Sequence, residues 1–166
     1  KPVTSLAAMM LYEEGAFELK SPISTWLPEF AETRVYRSGS FLAPVTEPQV
    51  EPIRVWHLLT HTSGLPAAFG PHLVWGETVP PPLSRYLADS LEVTAAPMSE
   101  VVYSNLAYSL VAYLVEKFSG VPYKEYIREE IWENLGMEST AFQPTPEMEE
   151  RLSIPYVPHP ETHRPM

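Results

Sequence analysis

The chain has 166 residues, 45% of them apolar, so it is long enough to bury a core and fits one domain or most of one. Its formal charge of −10 and pI near 4.9 argue against nucleic-acid binding and against a basic membrane-surface helix. The sequence has no cysteine, which excludes disulfides, thiolate metal sites and a cysteine nucleophile but leaves the compartment open.

The beginning of the chain predicts two helices of different length. Apolar residues recur at helical spacing from Pro2 to Glu14, and Gly15 is a natural stop. Ser21 and Pro22 are typical of a cap and first position, and they predict a short helical turn through Trp26.

The middle of the chain predicts a hairpin, a helix and a long loop. Segments 34–37 and 41–45 flank a Ser-Gly-Ser turn and predict a small hairpin. A proline followed by apolar residues predicts a helix over 53–61, which Thr-Ser-Gly closes. Glycine and proline throughout 66–82 predict a surface loop, and 83–91 predicts another short helix.

The last third contains the most regular pattern. Residues 105–119 place apolar side chains on one broad helical face, with Gly120 as the stop, and 122–134 predicts a second helix that packs against the first. Weaker patterns predict a helical turn over 146–152 and a strand over 153–157. The face of the first helix comprises Leu106, Leu110, Val111, Leu114, Val115 and Phe118.

Three stretches of the sequence carry recognisable motifs. They are Lys1-Pro2-Val3-Thr4-Ser5-Leu6-Ala7, Leu58-Leu59-Thr60-His61-Thr62-Ser63-Gly64-Leu65-Pro66 and Tyr103-Ser104-Asn105, the last followed by Ser119–Tyr123 and Leu135–Met137. They resemble the Ser-x-x-Lys helix, the Leu-Leu-Thr-His-Thr-Ser-Gly-Leu string and the Tyr-x-Asn element of the serine β-lactamase and penicillin-binding-protein superfamily. The order and spacing agree over roughly residues 1–142, and the pattern is most similar to class C β-lactamases and family VIII esterases.

The resemblance implies a mostly α piece, the helical region of an α+β β-lactamase/transpeptidase-like fold, with at most short strands. We therefore expect residues 1–166 to be a single partial domain whose sheet-forming segments lie before and after them. Lys1 would be the lysine of Ser-x-x-Lys, so the nucleophilic serine would stand three positions upstream. The third motif, Lys-Thr-Gly or His-x-Gly, is also absent, because neither His159 nor His163 precedes the required glycine.

The same resemblance assigns catalysis to Lys1 and Tyr103, and substrate binding to Asn105. Residues three apart are neighbours on a helix, so the amine of Lys1 would reach a serine hydroxyl. As a base it would need a depressed pKa, through burial or a neighbouring cation. Tyr103, favoured as phenolate beside an ammonium, would pass the serine proton to the leaving group. Asn105 would bond both the lysine and a substrate carbonyl, and it is also a candidate cap for the following helix.

Other polar residues have structural interpretations. We interpret His61 as a residue that bonds the last carbonyls of its helix rather than as a general base. Ser63 in a terminating turn and Ser104 between motif residues are not expected to be nucleophiles. The remaining histidines lack metal-ligand spacing, and the aromatic residues of 105–119 are expected to be core or wall. These histidines are His57, His72, His159 and His163, and the aromatic residues are Tyr108, Tyr113 and Phe118.

Three functions follow as hypotheses. The first is a carboxylesterase or transacylase with a covalent acyl-enzyme, the second is β-lactam or D-Ala-D-Ala chemistry, and the third is a non-catalytic binding or structural remnant. No metal or cofactor is predicted, and the expected partner is a small ester, lactam or peptide substrate. The sequence has no run of 18 apolar residues, so no membrane-spanning helix is predicted. A stable isolated chain would expose apolar surface, so we expect a complementary fragment or a homo-oligomer.

Overall fold

The computed structural model describes residues 1–40, 42–67 and 93–153. In this part of the chain one two-stranded sheet accompanies a mostly helical structure, which confirms the predicted fold class. Two 3-10 turns follow the first helix, and a π-helical turn continues the fourth. The elements in order are α1 (Pro2–Glu13), the 3-10 turns Ile23–Thr25 and Pro28–Phe30, β1 (Arg34–Ser40), β2 (Ala43–Pro48), α2 (Val55–Leu59), α3 (Asn105–Ser119), α4 (Tyr123–Ile127), the π turn (Arg128–Glu133) and α5 (Pro146–Glu149).

Helices α1 and α3 pack against each other at the centre of the core. The predicted bounds and apolar face of α3 are confirmed, with Phe118 only partly buried. Two alanines of α1, Ala7 and Ala8, are buried, and their small side chains allow the helices to approach closely. Each fully buried leucine, such as Leu58 of α2 or Leu110 of α3, contributes about 1.5–3 kcal/mol to stability.

The predicted hairpin is present, with strands longer than expected. β1 and β2 pair antiparallel from Arg34 opposite Pro48 to Ser40 opposite Ala43. Among the residues of β1 and β2, Val35 alone is buried, and the Tyr36 N–H donates to the Val93 carbonyl at 3.0 Å. These contacts attach the hairpin to the rest of the protein near residue 93.

Several predicted boundaries were wrong by a few residues. The turn after Ser21 begins at Ile23, with Pro22 rather than Ser21 at its cap position, and α2 begins at Val55. The helix predicted over 122–134 changes to π geometry at Arg128, and two residues of the π turn, Ile131 and Trp132, are buried in the core. The helix predicted at 83–91 and nearly all of the strand at 153–157 lie outside the described residues.

Candidate active site

Lys1 stands at the amino-terminal end of α1, and the fold directs it toward the start of α3. Pro2 occupies the first helical position, and the Lys1 carbonyl accepts a hydrogen bond from the Ser5 N–H at 2.9 Å. Lys1 Nζ donates to Asn105 Oδ1 at 2.6 Å, across 104 positions of sequence. The packing of α1 on α3 therefore brings together two of the three predicted site residues.

Ser104 caps α3, which corrects the expectation that Asn105 does so. Its Oγ accepts from the Ala107 N–H at 3.1 Å and donates to the Pro66 carbonyl at 2.8 Å, and the residue is fully buried. Serine is among the preferred capping residues, so the sequence offers two adjacent candidates, and the structure uses the first. With the cap supplied by Ser104, the Asn105 side chain is left available for Lys1.

Two aromatic rings flank the Lys1 amine. Nζ lies 4.4 Å from the ring centroid of Tyr103 and 5.5 Å from that of Tyr108. A cation over a ring face is stabilised by the ring quadrupole, by roughly 0.5–1 kcal/mol at an exposed site. The structure thus places Tyr103 beside Lys1 as predicted, but the contact is with the ring face rather than with the phenol oxygen.

His61 lies between the same two rings. Its imidazole centroid is 4.5 Å from that of Tyr103 and 5.1 Å from that of Tyr108. Its Nδ1 accepts the Ser104 N–H at 3.0 Å, so the expectation that it bonds helix carbonyls was wrong. Burial, and secondly the charge of Lys1, lower the pKa of His61 from its ordinary value and favour the neutral ring.

Tyr108 connects three segments of the site. Its hydroxyl donates to the Leu59 carbonyl at 3.1 Å and lies 3.0 Å from Ser5 Oγ, which then donates to it. The residue was expected to be core or wall, and the structure makes it a wall beside Lys1. Its position three residues after Asn105, on the same face of α3, is the sequence signal that pointed there.

Neither of the two serines weighed as nucleophiles is engaged with Lys1. Ser63 Oγ accepts from the Leu65 N–H at 3.4 Å in a buried turn, and Ser104 Oγ is occupied by its cap and its bond to Pro66. Within residues 1–40, 42–67 and 93–153, no hydrogen bond reaches the Tyr103 hydroxyl, and Tyr103 is 59% exposed. The described groups therefore form one side of a site that is open at Tyr103.

The charge at the described part of the site is positive and comes from Lys1. Lys1 has neutral partners there, and no carboxylate of the described residues pairs with it. Across the same residues, no three histidine or acidic side chains lie close enough to hold a metal ion, and no helix is long and apolar enough to cross a membrane. His72, His159 and His163 lie outside the described ranges.

Comparison with known proteins gives consistent matches. The β-lactamase family model matches residues 1–165. The D-alanyl-D-alanine-carboxypeptidase/endopeptidase AmpH of Escherichia coli is 32% identical over 160 residues, which cover 93% of this chain and 38% of that protein. A β-lactamase/D-alanine carboxypeptidase structure from Yersinia pestis has a TM-score of 0.68 at 31% identity, covering 92% of this chain and 41% of that one.

A further solved structure is EstCE1, described as a hydrolase with promiscuous acyltransferase activity. It has a TM-score of 0.72 at 28% identity, and the match covers 100% of this chain and 43% of that one. The described fold is thus part of a β-lactamase-like fold. The chain spans about two fifths of the length of the relatives that it matches.

Proposed function

This chain belongs to the β-lactamase family, and on that premise we propose that it carries part of the active site of a serine hydrolase that forms a covalent acyl-enzyme. The observation that carries the proposal is the 2.6 Å contact between Lys1 Nζ and Asn105 Oδ1, with Tyr103 packed over the same amine. Lys1 and Asn105 are 104 positions apart in the sequence, so local geometry does not account for this contact. A general acid or base must be held within hydrogen-bond reach of the proton that it transfers, and a fixed lysine amine meets this requirement.

Each group has a role in the proposed reaction. A serine hydroxyl one helical turn before Lys1 would share its face of the helix and attack the substrate carbonyl carbon. Lys1 and Tyr103 would take the hydroxyl proton and return it to the leaving alkoxide or amine, so the acyl-enzyme forms without net proton loss. Because Asn105 Oδ1 accepts from Lys1, its amide N–H groups remain to donate to the substrate.

We propose a carboxylester, hydrolysed or transferred to another acceptor, as the substrate. The support is the similarity to EstCE1 over the whole chain. The second candidate is lactam or D-Ala-D-Ala peptide chemistry, which the similarity to AmpH and to the Yersinia pestis structure favours. Fold does not choose between them, because both use the same attacking and proton-handling groups.

The discriminating experiment compares substrates on the whole gene product. Turnover of p-nitrophenyl esters without opening of nitrocefin or cleavage of a D-Ala-D-Ala peptide supports the esterase proposal. Lactam opening or peptide cleavage with slow ester turnover supports the second candidate. Alanine or glycine three positions before Lys1 in the gene product, together with no turnover of any substrate, would leave a non-catalytic binding role.

We also propose that residues 1–166 are the helical region of a larger domain whose sheet comes from other segments. Large apolar side chains in the described part are open to solvent, including Leu42 at 92%, Val50 at 91% and Val101 at 75% exposure. Such surface favours a covering segment, a complementary fragment or another copy of the chain. A clean, stable 18.8 kDa monomer of residues 1–166 in size-exclusion chromatography would contradict this proposal.

A further inference from the structure

Three helical segments end in the same way but with different residues. After α1, α2 and the π turn, an N–H bonds the carbonyl five residues earlier: Ala16 to Leu11, Thr62 to His57 and Met137 to Trp132. This bond requires a left-handed residue just before the donor. That residue is Gly15, His61 and Gly136, with φ of 78°, 59° and 64°.

Histidine at this position is unusual, because a side chain makes the left-handed conformation unfavourable and glycine avoids the problem. His61 adopts this conformation while its side chain makes an interaction that glycine could not make. In His61 that interaction is the hydrogen bond from the Ser104 N–H to Nδ1. Its own carbonyl also accepts the Val102 N–H at 2.9 Å, so His61 is hydrogen-bonded to the residues immediately before and after Tyr103.

These bonds lead directly to the proposed catalytic groups. The 102–104 segment that His61 holds contains Tyr103, and Asn105 follows it at the first position of α3. The imidazole also packs in tilted orientation against Tyr103 and Tyr108, the two rings that flank Lys1 Nζ. These contacts give a change at His61 a direct route to Tyr103 and Asn105, through the backbone and through the rings.

We propose that His61 is a positioning residue whose neutral imidazole, with Nδ1 as acceptor, fixes Tyr103 and Asn105 against Lys1. The inference rests on the proposed function for its kinetic consequences. Its structural content, the tautomer and charge of one imidazole, does not depend on that function. A glycine at this position would end the helix equally well and keep the carbonyl bond to Val102, but it could not accept the Ser104 N–H.

A pH dependence follows from the proposed hydrogen bond. Among the described residues, the titratable groups that face His61 are Lys1, Tyr103 and Tyr108. Protonation of Nδ1 removes the acceptor for the Ser104 N–H and places a second cation beside Lys1. Since burial and Lys1 lower the pKa of His61 below its ordinary value of 6.5, activity is retained above that value and lost as the pH falls through the lowered pKa.

The first test is an NMR titration of the whole gene product labelled with 15N-histidine, with the His61 signals assigned by their absence in His61→Asn. We expect a neutral ring at pH 7 with the proton on Nε2, and a titration below 6.5. An imidazolium, or a proton on Nδ1, at pH 7 would overturn the proposal. This result is obtained whether or not the protein turns over an ester.

The second test compares His61→Gly with His61→Asn in steady-state ester hydrolysis. Glycine keeps the helix end and removes the acceptor, so kcat/KM should fall by roughly 10- to 100-fold, as expected when Tyr103 and the substrate-binding Asn105 are both misplaced. Asparagine tolerates the left-handed conformation and carries an acceptor oxygen at the position of Nδ1. It should restore most of kcat/KM. It should also eliminate the acid limb of the pH–activity profile, which is the loss of activity caused by protonation of His61.

The matched control is His57→Asn. His57 also uses Nδ1 to accept a backbone N–H, that of Arg54 at 3.0 Å, but among the described residues no hydrogen bond or ring pairing joins it to Lys1, Tyr103 or Asn105. It should leave the acid limb in place. Wild-type kcat/KM and an unchanged pH profile in His61→Gly, or an unchanged acid limb in His61→Asn, would overturn the positioning role. Absence of ester turnover in the wild type would instead count against the proposed function, and the NMR result would still decide the tautomer.

Discussion

Helix α3 buries six side chains, whereas strands β1 and β2 together bury only Val35. The difference bears on function, because Tyr103 and Asn105 lie at the start of α3 and the hairpin contributes no described contact to Lys1. Site geometry is thus coupled to packing in the helical core and nearly independent of the hairpin. Substitutions in the two regions should therefore separate cleanly in their effects on activity and stability.

The largest effect is expected at Lys1, where the core meets the site. Lys1→Met keeps the length of the side chain but removes the amine, and acylation should slow by about 10²- to 10⁴-fold, the usual range for a proton-transfer group. Stopped-flow acylation by a p-nitrophenyl ester measures this rate. The control is Lys117→Met, an exposed lysine of α3, and equal losses in both variants would argue against a special role for Lys1.

The next largest effect concerns stability in the two regions. Leu110→Ala removes a side chain that is 0% exposed, and it should lower the free energy of unfolding by about 2–5 kcal/mol. Val45→Ala in β2, at 57% exposure, should change it by less than about 0.5 kcal/mol. Urea denaturation of the whole gene product provides both values. Similar decreases in the free energy of unfolding for the two variants would show that the hairpin packs as part of the core.

A smaller loss is expected at the cap of α3. Ser104→Ala removes the cap bond to Ala107 and leaves the Pro66 carbonyl without its donor, so unfolding should become easier by about 0.5–2 kcal/mol. Thr145→Ala removes the equivalent cap of the exposed helix α5 and should have a smaller effect on stability. Ester turnover should fall in Ser104→Ala and stay unchanged in Thr145→Ala. An equal fall in both variants would show that the cap of α3 has no special connection to the site.

The smallest effect is expected in the hairpin. Arg37 and Glu47 form an exposed ion pair across β1 and β2, with 64% and 42% of their side chains open to solvent. Water and salt screen such a pair, so Arg37→Ala should leave the urea midpoint and ester turnover unchanged. A clear drop in either would show that the hairpin supports the helical core.

Much of the helical core was predictable, because amphipathic periodicity and terminating glycines act locally. The bounds of α3 matched the prediction at both ends. Its cap did not, because Ser104 and Asn105 are both good capping residues and the sequence alone does not show which one turns toward the helix. The π turn after Ile127 was not predicted, because the apolar pattern over 122–134 is equally consistent with an ordinary α-helix.

The site was partly predictable, through a resemblance rather than through spacing. Lys1, Tyr103 and Asn105 were each named from motifs, and their proximity is a long-range result of α1 packing on α3. The partners of His61 were not foreseen. A helix-ending pattern predicts a left-handed residue but not that a histidine there will reach a backbone N–H 43 positions later.

Labelling the nucleophile as a stable phosphonyl adduct, formed with loss of fluoride, tests the central claim most directly. A crystal structure of the whole gene product after reaction with a fluorophosphonate should show phosphorus on the hydroxyl of the residue three positions before Lys1. That oxygen should lie within hydrogen-bond reach of Lys1 Nζ, and Lys1 should still contact Asn105. Phosphorus on Ser63 or another side chain, or Lys1 turned away from both Asn105 and Tyr103, would contradict the proposed active site.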